Sequence, residues 1–192
     1  MHNFFTDMKQ LFYVLLFLNT LTSCNKEYES KDLQTYNLFG KVKSVVVTRI
    51  SEFGDERILE TLTFSEGGEL LVEGASIIRD SSGYICSIEY DFGGTSFKYD
   101  ENGNMIERSD WDTSTIRECP TKLDENNNPV ESEQYGEMGI DEGESPAAKF
   151  TYKYLNEDDH GNWTLRRVSY NDLYDESWSR VWSEKREIEY YR

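Results

Sequence analysis

The chain has 192 residues, 37 acidic and 20 basic, for a net charge of −17 at neutral pH. Its mean hydropathy is −0.72. That length allows one domain with a targeting segment. The acidity excludes nucleic acid, whose phosphates need basic patches, and argues against direct adhesion to anionic lipid.

Lys9 is the only positive charge ahead of the apolar run Leu11 to Leu18. Eight residues fall far short of the roughly 20 needed to cross a bilayer, but they suit the core of a signal peptide. Met8 is the expected start, because Met8-Lys9-Gln10 already makes a compact basic leader. The run is followed by Leu21-Thr22-Ser23-Cys24, which resembles the bacterial lipobox. The resemblance implies a diacylglyceryl group on the Cys24 thiol and cleavage just before it, with the small Thr22 and Ser23 admitting the chain to the peptidase. More than one acyl chain then gives stable attachment without a transmembrane helix. An ordinary secretory signal with a chance cysteine is the alternative. The expected division is a lipoprotein signal peptide over 1–23, a lipid-bearing tether over 24–31 and a single all-β domain over 32–192. The expected place is the cell envelope, lipid-anchored on the outer membrane and facing either the periplasm or the surface. Asn25 is compatible with outer-membrane passage, and Lys26-Glu27 loosely resembles a charged surface-export signal.

Asp32 is placed to cap a brief helical turn through Leu38, ended by Gly40. From Lys41 the β signal is continuous, opening with Val42, Val45, Val46, Val47 and Ile50. A turn pattern, Ser or Asp followed three residues later by Gly, starts at Ser51, Ser65, Asp80, Asp91, Asp100 and Asp158. Asp124 to Asn127 is a seventh copy with Asn in place of Gly. Asp or Ser at the first position caps an amide two residues on. Gly, or next best Asn, takes the left-handed conformation that starts the return strand. The intervals among the first five starts leave strands of about 5 to 11 residues, the normal range, so these segments read as consecutive antiparallel hairpins. Further turns are expected at Asp110–Thr113 and Asn171–Asp172, an acidic loop over Gly136–Ala147, and a terminal strand over Ser177–Tyr191. The predicted fold is an all-β antiparallel hairpin meander, forming a curved or elongated sheet.

Tyr99-Asp100-Glu101-Asn102-Gly103-Asn104 and Asp158 through Gly161-Asn162-Trp163 resemble the YD repeats of Rhs-type bacterial surface proteins, with Leu123 to Asn128 a worn copy. Together with Gly40 to Val45 at the start and Arg186 to Tyr191 at the end, the chain is similar to small envelope lipoproteins of the Bacteroidota. The resemblance implies a β meander on the cell surface or in the periplasm, and it brings no catalytic residues.

His160 is the only histidine after Cys24 and falls in a turn, so histidine triads and multi-histidine zinc sites are nearly excluded. No glycine loop opens a helix after a strand. The Asp100-Asn102-Asn104 spacing suggests calcium, but Met105 and Trp111 occupy the positions where an EF-hand needs Gly and Glu. No cofactor is expected. Cys86 and Cys119 are a possible disulfide in an oxidising compartment, with a core cysteine equally open for Cys86. Trp178 and Trp182 share a face in an extended strand and, with Trp163, are candidate binding aromatics; the competing reading has them filling the core. The function expected is a non-catalytic envelope lipoprotein that binds or scaffolds protein or glycan. Two other classes stay open: an immunity-type protein that neutralises a basic toxin domain, and a carbohydrate-active enzyme with two carboxylates about 5 to 10 Å apart.

Overall fold

The computed structural model describes residues 28–112, 114–136 and 145–192. The segment expected to be a signal peptide, the lipobox-like residues and Cys24 lie outside the described residues, as do residues 137–144 of the expected acidic loop. The described chain is an all-β meander: twelve antiparallel strands in one sheet, preceded by a single helical turn. That turn is α1 (Lys31–Thr35). The strands are β1 (Val42–Ile50), β2 (Glu56–Phe64), β3 (Leu70–Leu71), β4 (Ser76–Arg79), β5 (Ile85–Tyr90) and β6 (Gly93–Tyr99). They continue as β7 (Met105–Trp111), β8 (Thr115–Leu123), β9 (Pro129–Tyr135), β10 (Ala148–Glu157), β11 (Trp163–Asp172) and β12 (Arg180–Tyr190).

Every consecutive pair is a hairpin except β3–β4, and β1 also pairs with β12, so the sheet runs β3-β2-β1-β12-β11-β10-β9-β8-β7-β6-β5-β4. Its two edges are therefore β3 and β4. Twelve flat strands at about 4.8 Å spacing would hold those edges roughly 50 Å apart. The linker Val72–Ala75 spans at most about 17 Å between them. The sheet must curl on itself, and it forms an open roll with a seam at β3 and β4.

Six of the seven expected turns form as read. At Asp100 the Oδ1 atom accepts the amides of Asn102 (2.9 Å) and Asn104 (2.8 Å), while Gly103 N–H donates to the Asp100 carbonyl (3.1 Å). Gly103 has φ +80°, and Asn127 reaches +60° at the same position of its turn. The copy at Asp91 is different. There Tyr90 pairs with Gly93 across a two-residue turn, so Gly93 and Gly94 lie inside β6. A Cβ on Gly94 would stand 2.6 Å from the Ile88 carbonyl and 2.8 Å from the Trp111 ring, so this glycine makes room for Trp111. The turn expected from Asp110 begins two residues later, with Asp112 accepting from Ser114 N–H (3.1 Å). The last connection is longer than a hairpin at Asn171–Asp172. Strand β11 runs through Asp172, a 3₁₀ turn occupies Glu176–Trp178, and β12 starts at Arg180 rather than Ser177.

Strand alternation sorts the turns between two ends. Those at 65–68, 80–83, 100–103, 124–127 and 158–161 share one end, and the Ser51 turn lies at the other. The five-residue α1 is too short to be stable alone. Ser30, not Asp32, is its N-cap, accepting Leu33 N–H at 3.1 Å. What holds it is the rim of turns. Ser30 Oγ donates to Gly68 O (2.7 Å), and Gln34 Nε2 donates to Gly103 O (3.2 Å). Asn37 Nδ2 donates to Asn126 O (3.0 Å) and Asn128 Oδ1 (2.7 Å). Phe39 N–H donates to Asn162 Oδ1 (2.8 Å), whose Nδ2 donates back to Phe39 O (2.9 Å). Residues 30–39 thus cross the rim turn by turn and plug that end. Leu33 and Leu38 enter the core with Val42, Val45, Phe64, Ile85, Phe97 and Trp163. Tyr28, within the stretch expected to be a tether, stacks on Phe39 with ring centres 4.7 Å apart.

Candidate functional site

Inward positions are apolar next to the plug and become charged further along the roll. On β12 the inward parity reads Trp182, Glu184, Arg186, Ile188, Tyr190, and Glu184 is the buried one of its two charged members. Register then aligns a row across four strands: Arg49 on β1 opposite Glu184, Glu184 opposite Arg166 on β11, and Arg166 opposite Tyr154 on β10. A cavity of about 390 Å³ runs inside the roll. Its floor is Tyr36 and Asn37 of the plugging segment, and its walls include Arg49, Glu60, Arg108, Glu118, Tyr152, Trp163, Arg166, Glu184 and Arg186. Side-chain exposure falls from 53% at Asp110 to 33% at Arg108, 18% at Arg166 and 7% at Glu184, so the cavity deepens from an accessible side.

Most of these groups are paired. Arg166 donates from Nε (2.9 Å) and Nη2 (2.6 Å) to Glu184 Oε2, and Trp182 Nε1 donates to Glu184 Oε1 (2.8 Å). Burial would raise the Glu184 carboxyl, but the Arg166 charge and these donors outweigh it and hold it below the usual range. Glu118 Oε1 accepts the hydroxyls of Ser132 (2.6 Å) and Tyr152 (2.6 Å), and burial followed by the Glu118 charge pushes the Tyr152 phenol up. Arg108 sits between Glu60 (3.5 Å) and Asp110 (3.2 Å). Arg186 differs. Its guanidinium lies 3.9 Å from the centre of the Trp163 ring, with Arg166 at 4.3 Å from the same ring, and burial followed by Arg166 repulsion presses its pKa below the usual guanidinium range.

The aromatic residues singled out in sequence do not form one row. Trp163 is buried at 3% exposure in the core. Trp182 faces inward, half-buried beneath Arg49 at 4.2 Å. Trp178 stands 63% exposed on the 3₁₀ turn, because the strand that would align it with Trp182 begins only at Arg180. It shares the far end with Phe53, Phe92 and Tyr174, all strongly exposed. Cys86 on β5 and Cys119 on β8 are free thiols. Strands β6 and β7 separate them, a gap of roughly 14 Å at normal strand spacing, twice what a disulfide can bridge. His160 is exposed in its turn and stacks on Tyr190 at 4.1 Å.

The interior arginines and glutamates escaped the sequence reading, since in a chain 30% charged they look like a solvated face. The signal that marks Arg186 and Glu184 is their parity with Trp182, Ile188 and Tyr190. Among the described residues no group of histidine, cysteine and carboxylate side chains is arranged to hold a metal ion. No protein-family model, curated protein or solved structure matches the chain.

Proposed function

We propose that the chain is a lipid-tethered, non-catalytic binding protein of the cell envelope, and that its ligand seat is the interior of the roll. The observation that carries this reading is the cavity itself. At about 390 Å³ it falls in the range of ligand sites, roughly 300 to 1,000 Å³, and its lining joins aromatic side chains to charged ones. The lipobox resemblance at Cys24 supports the tether. Tyr28 stacks on the plug only four residues later, so the plugged end lies within about 14 Å of the lipid-bearing residue. The membrane then meets the plugged end, and the far end points away from it.

Two measurements on the full-length protein, purified in detergent from native membranes, test this. Mass spectrometry after denaturation is expected to release a small molecule at near one per chain, reduced at least fivefold in Leu59→Trp, which narrows the cavity wall. Labelled palmitate is expected to enter the wild-type chain and not Cys24→Ala. Absence of any released molecule overturns the binding reading, and label in Cys24→Ala overturns the tether. Glycoside hydrolysis is the second reading, favoured by Glu118 and Glu184 sharing a cavity with Tyr152 and Trp163. Both carboxylates are already engaged by strong donors, which places it second. Turnover of chromogenic glycosides that Glu118→Gln abolishes would reverse that order.

A further inference from the structure

The cavity lining carries four guanidiniums and four carboxylates, but the hydrogen bonds among them are unevenly shared. Four guanidiniums line it: Arg49, Arg108, Arg166 and Arg186. Arg166 has Glu184, and Arg108 has both Glu60 and Asp110. Glu118 is spent on two hydroxyls. Among the described residues, no carboxylate pairs with Arg49 or Arg186. Among the described residues four buried side-chain polar atoms lack a hydrogen-bond partner: three are Arg49 Nε, Arg186 Nε and Arg186 Nη1, and the fourth, Arg117 Nε, belongs to a residue outside the cavity lining that is paired with Glu107. Arg186 Nη2 has only the Tyr36 carbonyl, at 3.4 Å. Glu184 stands opposite Arg49 in register, yet buried guanidinium N–H groups left without an acceptor are costly.

Geometry brings the two unpaired groups together. Arg186 is opposite Val47, and Arg49 is opposite Glu184, so the two arginines are diagonal neighbours on the inward face of β1 and β12. Such pairs are roughly 7 to 8 Å apart at their Cα atoms. Each guanidinium lies against a tryptophan, Arg49 on Trp182 at 4.2 Å and Arg186 on Trp163 at 3.9 Å. Stacking fixes the planes and leaves N–H groups for an oxyanion. We propose that the interior of the roll binds a small organic oxyanion, a carboxylate or phosphate on a compact body, with Arg186 and Arg49 as its counter-ions. This rests on the reading of the interior as the ligand seat and adds the charge of the ligand.

Tryptophan fluorescence of the full-length protein reports the site, since Trp163 and Trp182 lie under the two arginines. The probes are benzoate, phenyl phosphate, the cation benzamidinium and neutral benzyl alcohol, all at one ionic strength. The expected result is saturable quenching by benzoate or phenyl phosphate, at least tenfold tighter than by benzamidinium or benzyl alcohol. Comparison of benzoate with phenyl phosphate decides the oxyanion. Arg186→Met and Arg49→Met are each expected to weaken the anion at least tenfold, while Arg117→Met, outside the cavity lining, leaves it unchanged. Should Arg186→Met not fold, Arg49→Met and Arg186→Lys carry the same comparison. Equal binding of anion and cation, or anion binding unchanged in both arginine variants, overturns the proposal. If benzyl alcohol saturates and the anions do not, the oxyanion fails while the ligand seat stands. If no probe binds and no molecule is released from the native protein, the ligand seat fails as well.

Discussion

Asp32 is the residue on which closure of the roll most depends, and its loss has a size that can be worked out. It is buried at 2% exposure in the plug, yet it touches both edges of the sheet. Its Oδ2 accepts Leu70 N–H of β3 (2.7 Å) and Arg79 Nη2 of β4 (2.7 Å), and its Oδ1 accepts Arg79 Nη1. Asp32→Asn keeps the shape, removes the charge and turns an N–H₂ group toward donors. Removing one member of a buried ion pair costs about 3–5 kcal/mol. Arg79 is 34% exposed, so water recovers part of that, leaving about 2–3 kcal/mol. At roughly 2–4 °C per kcal/mol for a domain of this size, the melting temperature is expected to fall by about 4–12 °C. The measurement is a circular-dichroism melt beside Glu189→Gln, which removes the exposed, solvent-screened Lys43–Glu189 pair and is expected to shift the melt far less. Hydrogen exchange at Leu70 is expected to quicken in Asp32→Asn alone. A melting temperature lowered no more than in Glu189→Gln would refute the view that the plug holds the two edges together.

Three further outcomes follow from the same geometry. Gly54 and Gly103 both sit at positive φ, +88° and +80°, but a Cβ at Gly54 meets nothing within 4 Å while one at Gly103 meets Tyr84 Oη at 2.0 Å and Gln34 Nε2 at 2.7 Å. Gly54→Ala is expected to cost about 1–2 kcal/mol of backbone strain and Gly103→Ala more; equal shifts in urea midpoint would show that Tyr84 and Gln34 do not press on that turn. Asn162→Ala strips the buried Phe39 N–H and C=O of their side-chain partner, about 1–3 kcal/mol for each group. Hydrogen exchange at Phe39 should rise with that loss, and unchanged protection there would contradict it. Glu184 has a lowered folded pKa, so its ionised form contributes stability above the ordinary value of 4.5, and that contribution disappears as pH falls through the folded value. Glu184→Gln should therefore be less stable than wild type at pH 7, with a gap that narrows on acidification below that ordinary value of 4.5; a gap of constant size down to about pH 3 would remove the ion-pair explanation.

The strands and most of the turns were legible in sequence because their causes are local. A β-branched run such as Val45-Val46-Val47 and a Ser or Asp three residues before Gly each act within a few residues. The Asp91 copy shows the limit of that reading. Its glycines answer to Trp111, a strand away, and the side-chain cap that the pattern promises gives way to a tighter hairpin. The separation of Cys86 from Cys119 was likewise invisible, since it depends on which strands intervene and not on their spacing along the chain. The interior charges were hidden for a related reason: an arginine in an alternating strand belongs to water or to the cavity according to register alone.

The turn pattern also serves a second purpose, visible only in three dimensions. The residue after the left-handed position is Asp55 in the Ser51 turn, at the far end, and it is exposed. At the plugged end the corresponding residues include Asn104, Asn128 and Asn162. Asn104 and Asn128 donate back to the capping aspartates Asp100 (2.9 Å) and Asp124 (3.1 Å). Asn128 and Asn162 reach inward as well, to Asn37 and Phe39 of the segment that crosses the rim. Both are almost fully buried, which an asparagine tolerates only when its amide is satisfied. At Asp124 and Asp158 the aspartate and the left-handed residue therefore make the turn, and the asparagine that follows fastens it to the plug. A hairpin protein can keep its turns without such asparagines, but the plug then loses the Asn128 and Asn162 contacts at Asn37 and Phe39 and keeps those of Ser30, Asp32, Gln34 and the two core leucines.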